Sequence, residues 1–509
     1  MKFVPLLLLL GLSNMALAQI GLPVWTNRYN GPVNGHDYAS AVAVDSNGNV
    51  FVTGRSAGTN TTAFATIKYS GAGVALWTNR YDATNATAVA EAVDTNGNVI
   101  VTGYIYVSST NNDFATIKYS SAGVPQWTNR FTAGTAGASA IAVDTNGNVF
   151  VTGTINGGAF ATIKYSSLGS PRWTNRYTGG AGGATYIAVD TNGDAVVTGT
   201  ANLTTDFNGP DYATIKYSGA TGAPLWTNLY DSGAQKSDYA SAVAVDASAN
   251  VYVTGASIGL LGNYEYATIK YTNGVAAWIR RYSRAMGNND KAKSLAVDNN
   301  GKVFVTGTES ISGGTNQWYA TIAYAASGVS LWTNFYSGGY GYAQPGAVAL
   351  DGGGNVFVTG FALGTNYFDY ATLKYSGAGA LLWTNCYNGP GSTNDLAMAM
   401  AVDGVGNVFV TGYSTGTNGL YNYATIKYSG VPLPSPFRFG CSQSTNGIRI
   451  LFTNTPGAQF SVLAATNLAL PMSNWPSLGD VIEVSPGQFQ FTDSTTTNTI
   501  RRFYRIRSP

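Results

Sequence analysis

Ala43-Val44-Asp45-Ser46-Asn47-Gly48-Asn49-Val50-Phe51-Val52-Thr53-Gly54 decides the fold. An apolar run leads into an Asx-Gly type turn, and a β-branched and aromatic run then closes on glycine. That is a β-hairpin written in sequence. Edited copies end at Gly103, Gly153, Gly199, Gly255, Gly307, Gly360 and Gly412, which makes eight. A tryptophan precedes each copy, at Trp25, Trp77, Trp127, Trp173, Trp226, Trp278, Trp332 and Trp383, spaced 46 to 54 residues apart. A run like Ala-Thr-Ile-Lys-Tyr follows each copy, ending at Tyr69, Tyr119, Tyr165, Tyr217, Tyr271, Tyr324, Tyr375 and Tyr428. The period thus holds four strand-like runs and no helical spacing, which predicts propeller blades. In chain order we name them a (Ala-Val-Ala-Val), b (Val-Phe-Val-Thr-Gly), c (Ala-Thr-Ile-Lys-Tyr) and d (Leu-Trp-Thr-Asn-Arg-Tyr).

The ends of the array predict how it closes. It begins with a d strand, Val24 to Tyr29, and stops after the c strand at Tyr428. If the first strand completes the last blade, no bare sheet edge remains. The expectation is an all-β, eight-bladed β-propeller closed by its N-terminal strand and followed by a small β-sandwich. Strand a is rich in Ala, Ser and Val, which suits a crowded centre, while the bulky Trp and Tyr of strand d suit the outer wedge.

Outside the array the composition changes. Lys2, the apolar stretch Phe3 to Leu12 and Ala16-Leu17-Ala18 read as an export signal over residues 1–18. The propeller is expected over 19–430, a proline-rich linker over 431–436 and a C-terminal β-sandwich module over 437–509. Charged residues are only 10% of the chain, where a soluble protein has roughly 25%. With a net charge of +2, nothing points to nucleic acid or an anionic membrane. No stretch is long and apolar enough to span a bilayer.

The ordered motifs A-V-D-x-N-G-N-V-F-V-T-G, A-T-I-K-Y-S and L-W-T-N-R-Y resemble the bacterial SBBP β-propeller repeat family, over residues 24–430. The resemblance implies secreted or cell-surface bacterial proteins and brings no catalytic residues. The family's name implies seven blades, and this chain departs from it with eight units. The stretches F-S-V-L-A-A-T-N-L, W-P-S-L-G, G-Q-F-Q-F-T-D and F-Y-R-I resemble a module at the C-terminus of secreted bacterial proteins.

Motifs that carry chemistry are few. The D-x-N-G-N turn lacks calcium-loop grammar, because Gly48 is fourth and Ser56 stands where an acid belongs. The lysine of strand c (Lys68, Lys118, Lys164, Lys216, Lys270, Lys374, Lys427, with Ala323 in the remaining unit) is expected to meet the repeat aspartate or a turn carbonyl. The arginine of W-T-N-R (Arg28, Arg80, Arg130, Arg176, Arg281) is expected as a solvated edge charge. The one histidine, His36, leaves no multi-histidine metal centre, and no cofactor or metal is expected. Candidate acids for a polysaccharide-active enzyme are Asp37, Asp113, Asp211, Asp238, Asp290, Asp369 and Asp395, which also suit a strand-capping role. Cys386 and Cys441 form a possible disulfide.

Loop lengths point to a face. The a–b and c–d turns hardly change, whereas b–c holds seven to thirteen residues and d–a also varies. In a four-stranded meander, b–c and d–a share one face, and variation confined to one face marks binding. That face should carry Tyr104, Tyr106, Phe207, Tyr264, Trp318, Tyr340, Tyr342, Tyr367 and Tyr421. The function expected is a monomeric, non-catalytic scaffold, secreted or on the cell surface, that binds a protein or glycan there. The alternative is an extracellular polysaccharide-active enzyme.

Overall fold

The computed structural model describes residues 21, 23–108, 111–202, 209–233, 237–259, 262–284, 288–311, 316–430, 440–444, 447–453, 459–465, 475–485, 488–494 and 503–507. The expected export signal over 1–18 and linker over 431–436 lie outside them. The chain divides into two compact units, Met1–Val431 and Pro432–Pro509.

In the first unit, sheet 1 consists of strands a (Asp37–Val44), b (Val50–Ala57), c (Thr62–Tyr69) and d (Ala75–Asp82), hydrogen-bonded in that order. Sheets 2 to 7 repeat this meander over 87–132, 136–177, 181–230, 238–282, 291–336 and 343–387. Sheet 8 has strands a, b and c at Asp395–Val402, Val408–Thr415 and Tyr421–Tyr428, and its fourth strand is Pro23–Tyr29. There Trp25 lies opposite Lys427 and Tyr29 opposite Tyr423.

Strands a touch one another in a cycle that runs from sheet 1 through sheet 8 and back to sheet 1. Apolar clusters fill each joint between neighbours. Phe51 and Phe64 of sheet 1 pack among Val99, Val101 and Ile117 of sheet 2. Phe409 and Tyr423 of sheet 8 pack in the same way on Val50, Val52 and Ile67 of sheet 1. The Tyr423 hydroxyl donates to Ala65 O at 3.3 Å across that joint, as Tyr370 does to Ala424 O at 3.2 Å one joint earlier.

Within a sheet, two threonines share a buried bond between b and c, Thr53 Oγ1 to Thr66 Oγ1 at 2.9 Å in sheet 1. The glycine that ends each copy has a steric cause. Strand a bulges opposite it, between Ala39 and Ala41 in sheet 1, and a Cβ on Gly54 would overlap the carbonyl oxygen of Tyr38.

The second unit holds two sheets. Gly440–Ser444, Gly447–Thr453, Gln488–Asp493 and Ile482–Ser485 form one, and Ser477–Asp480, Ser461–Ala465 and Phe503–Arg507 the other. Ile450, Phe452 and Phe489 of the first share a core with Phe460 and Val462 beside the second. Among the described residues, no helix is long and apolar enough to cross a membrane.

Candidate functional site

The two faces of the ring are built differently. On the turn face the a–b hairpin closes through the same two backbone hydrogen bonds in every sheet, Asp45 N to Asn49 O and Gly48 N to Asp45 O in sheet 1. Asp45 Oδ1 accepts the N–H groups of Asn47 and Asn49 at 2.9 and 2.8 Å, and Oδ2 accepts Asn49 Nδ2 at 2.8 Å. The turn therefore uses the carboxylate for itself. The strand c lysine completes it: Lys118 Nζ lies 2.8 Å from Asp94 and 3.1 Å from Ser167 O of the next sheet. Trp77 Nε1 and Asn79 Nδ2 clamp the next sheet's c–d turn at Ser121 O and Gly123 O, 3.1 and 2.7 Å away. W-T-N is thus a staple between sheets, a role its sequence does not announce.

The loop face has anchors of its own. Asp37, Asp238 and Asp395 are fully buried at the start of strand a, and each accepts two backbone N–H groups. For Asp238 these come from Ser232 at 2.8 Å and Ile258 at 3.0 Å. Asp290 takes Ser310 N at 3.0 Å and Ser283 Oγ at 3.1 Å. These acids tie the d–a loop to the end of strand b, the capping role. Of the W-T-N-R arginines, Arg176 is exposed as expected of an edge charge and Arg130, also exposed, pairs with Asp113, whereas Arg28, Arg80 and Arg281 turn inward to hydroxyl and carbonyl acceptors. Arg80 donates to Ser56 Oγ and Ala57 O at 2.6 and 3.1 Å, and Arg281 to Ser257 Oγ at 2.8 Å, because the guanidinium reaches back across strand c. Cys386, one half of the possible disulfide with Cys441, is exposed with Sγ 3.5 Å from the Tyr336 hydroxyl. The side chain of Cys441 lies outside the described residues.

The expected aromatic residues fall into separate groups. Tyr104 and Tyr106 meet edge-on at 5.9 Å, with Tyr106 exposed. Tyr264 touches Tyr239 at 6.0 Å and lies under Lys291 Nζ at 4.5 Å. Tyr342 is half-buried against Phe368 at 5.4 Å. Trp318, also half-buried, lies under Arg284, with its Nε1 enclosed and, among the described residues, without a hydrogen-bond partner. Tyr340 and Tyr367 are exposed. Phe207 lies outside the described residues.

Tyr421 belongs to the largest group. With Tyr38 and Tyr413 it forms a triangle of rings 5.0, 5.0 and 5.5 Å apart. His36 adds a fourth ring, 5.4 Å from Tyr421, and its Nδ1 accepts the Tyr421 N–H at 3.2 Å. The Arg55 guanidinium sits 4.8 Å over the Tyr38 ring, and among the described residues its buried Nε has no hydrogen-bond partner. Burial raises the Tyr38 and Tyr413 hydroxyls, with Arg55 opposing the rise at Tyr38. The loop-length argument named only Tyr421 of these five. Tyr38 and Tyr413 sit at opposite ends of the array, and only the contact between sheets 8 and 1 joins them.

The eightfold turn and staple make the chain comparable with repeat families. A family model described as "SBBP: Beta-propeller repeat" matches residues 25–60, 126–161 and 398–419. The chain carries SBBP propeller repeats. Sqt1 from Chaetomium thermophilum is 9% identical at a TM-score of 0.51, over 79% of this chain and 97% of that one. Quinohemoprotein alcohol dehydrogenase ADHIIG from Pseudomonas putida HK5 is 12% identical at a TM-score of 0.50, over 87% of this chain and 79% of that one. At such identities the likeness concerns the propeller fold alone. No curated protein matches the chain.

Two acidic groups on the loop face of the propeller depart from its repeats. The carboxylates of Asp211, Asp231 and Asp238 lie within 4.8 Å of one another, a set of the kind that holds a metal ion, but Asp238 already gives both oxygens to backbone. Sheet 6 carries Glu309 at the position of Ser56, and Phe335 at that of Arg80. Arg284 comes in from the preceding d–a loop, 4.5 Å over the Phe335 ring, and reaches Glu309 Oε1 at 3.4 Å. Glu309 is 1% exposed, and among the described residues its Oε2 has no hydrogen-bond partner. Burial pushes its carboxyl up to about 7, with Arg284 opposing and Asp290 adding to the rise. Asp369 is pushed up to about 6 by burial, with Asp395 contributing.

Proposed function

We propose that this SBBP propeller is a non-catalytic scaffold, exported to the medium or the bacterial cell surface, that binds a protein or glycan through its loop face. The observation that carries the reading is the Tyr38–Tyr413–Tyr421 triangle with His36 and Arg55. Aromatic rings presented beside a guanidinium and an imidazole suit sugar stacking or a protein anchor. Sqt1, of similar fold, has been seen bound to the N-terminus of the ribosomal protein L10. Four of the aspartates an enzyme would use here are occupied by backbone or hydroxyl donors, which favours binding over catalysis. Wild-type protein and a Tyr413→Ala/Tyr421→Ala double variant should be compared on a glycan array and a peptide array. Binding weakened at least tenfold in the double variant, on one array or the other, is the expected result. Equal binding by both proteins, or none by the wild type, would sink the reading.

A further inference from the structure

Sheet 6 lacks the strand c lysine, and a cavity on the turn face, opposite the aromatic patch, borders the groups that lysine would have met. In the other sheets the ammonium draws on three kinds of neighbour, though not all three in each. The repeat aspartate is one, 3.9 Å away for Lys68 and 2.8 Å for Lys118. The ring of strand b is the second, with Lys164 4.6 Å over Phe150 and Lys374 4.8 Å over Phe357. The third is a c–d carbonyl of the next sheet, which the stapling tryptophan also uses. Ser121 O accepts Lys68 Nζ at 2.9 Å and Trp77 Nε1 at 3.1 Å, and Gly71 O accepts Lys427 and Trp25 at 2.8 and 3.1 Å.

Sheet 6 keeps all three acceptors and replaces the donor with Ala323, which is fully buried. Phe304 supplies the ring, Asp298 the carboxylate and Gly377 O the carbonyl. Among the described residues that carbonyl accepts only Trp332 Nε1, at 3.2 Å. Asp298 has lost a second partner as well. In six sheets an asparagine side chain donates to Oδ2 of the repeat aspartate, and here Lys302 takes its place and offers only its backbone N–H to Oδ1, at 2.8 Å. Around these groups lies a cavity of about 470 Å³, lined by Asp298, Phe304 and Gly377 and widened by Gly352 and Gly353 of the next turn. Lys302 and Asp351 stand on its wall, and Asp351 is already paired with Lys374 at 3.5 Å.

We propose that this cavity binds a primary ammonium group on an unbranched alkyl chain, seated where the repeat elsewhere places its own lysine. A carboxylate, an aromatic face and an open carbonyl lone pair are what such a group needs when it leaves water. The chemistry is shared by a lysine side chain on a partner and by a free aliphatic amine. From Ala323 outward the missing atoms are those of n-propylammonium, which is the first probe, and Nα-acetyl-lysine methylamide is the second. Each is titrated into wild type, Ala323→Lys and Asp298→Asn, with 1-propanol as the uncharged control. Saturable binding of propylammonium to wild type, weakened at least tenfold in both variants and absent for 1-propanol, is expected. Ala323→Lys restores the residue that seven sheets already carry, so the variant should fold as they do. Binding of the lysine derivative as well would identify a partner side chain as the ligand, and its failure beside a bound propylammonium would identify a free amine. Equal affinity in Ala323→Lys and wild type, or no saturable binding in any arm, would overturn the proposal. The Tyr413→Ala/Tyr421→Ala variant should bind propylammonium as wild type does, so this test and that of the loop face fail separately.

Discussion

The turn face and the loop face belong to the same strands, yet one repeats and the other does not. On the turn face, each Asp-x-Asn-Gly-Asn hairpin, its lysine and the tryptophan above it satisfy one another, in sheet 2 as in sheet 1. On the loop face the side chains beyond the glycine of strand b vary: Arg55, Tyr104, Thr154 and Phe361 stand at one register position in sheets 1, 2, 3 and 7, while the buried aspartate at the start of strand a recurs in sheets 1, 5 and 8. The contrast teaches a division of labour. The repeated polar staples between sheets stand on the turn face, so the loop face has more freedom to vary its side chains.

The sharpest way to break this contrast is to remove one turn-face cation. Lys118 and Asp94 have side chains only 4% and 1% exposed and lie 2.8 Å apart. Burial alone would raise Asp94, but the hydrogen bonds from Lys118 and Asn98 outweigh it and hold the carboxyl below its ordinary value. A depressed acid contributes stability that is complete above its unfolded value and is lost as the pH falls below it. Lys118→Met should therefore cost about 3 kcal/mol at neutral pH, since a buried carboxylate loses its cation. It should also flatten the acid limb of the stability curve. On the loop face, Lys291→Met should cost under about 0.5 kcal/mol, because Lys291 is exposed over Tyr264. Equal losses in urea unfolding would erase the division of labour.

The second test concerns the loop face's own exception. Glu309 ionises near pH 7 when folded but near its ordinary 4.5 when unfolded. Between those values the native state holds the extra proton, so stability falls as the pH rises through the window. Glu309→Gln should match wild type near pH 4.5 and exceed it by about 2 kcal/mol at pH 8. Parallel stability curves for the two proteins would show that Glu309 is not strained by burial.

Much of the ring was legible in the sequence because its joints are repetitive. The tryptophan, aspartate, lysine and glycine recur in order, and each has one physical task. The threonine pair and the Asn79 staple recur just as faithfully, but their meaning depends on which carbonyl they face, and spacing does not give that. The candidate site was less legible for a different reason. Tyr340 and Tyr367 are exposed and Tyr104 is half-buried at the end of strand b, but a binding patch is a matter of neighbours in space. Tyr38 and Tyr413 become neighbours only when sheet 8 meets sheet 1. Arg80 was misread because its partner, Ser56, sits two strands away in the same sheet.

The smallest effect tests the regularity of the turn face itself. In sheets 1 to 4 and 6 to 8 the fourth turn residue is a glycine with positive φ, between 75° and 84°. Sheet 5 has Ala249 there, at φ 59°, in an otherwise identical turn whose Asp246 Oδ1 accepts Ser248 N and Asn250 N at 2.9 Å each. A left-handed alanine costs about 1 kcal/mol against glycine in the folded state, and glycine's freer unfolded chain returns a few tenths of that. The turn is held by its aspartate, so the strain is borne locally and not relieved by a change of turn. Ala249→Gly should then stabilise the protein by about 0.5 kcal/mol, while Gly48→Ala in sheet 1 should destabilise it by a similar amount or more. Were Ala249→Gly destabilising instead, the methyl group would be packing against something the other seven turns do without, and the turn face would be less uniform than its hydrogen bonds make it.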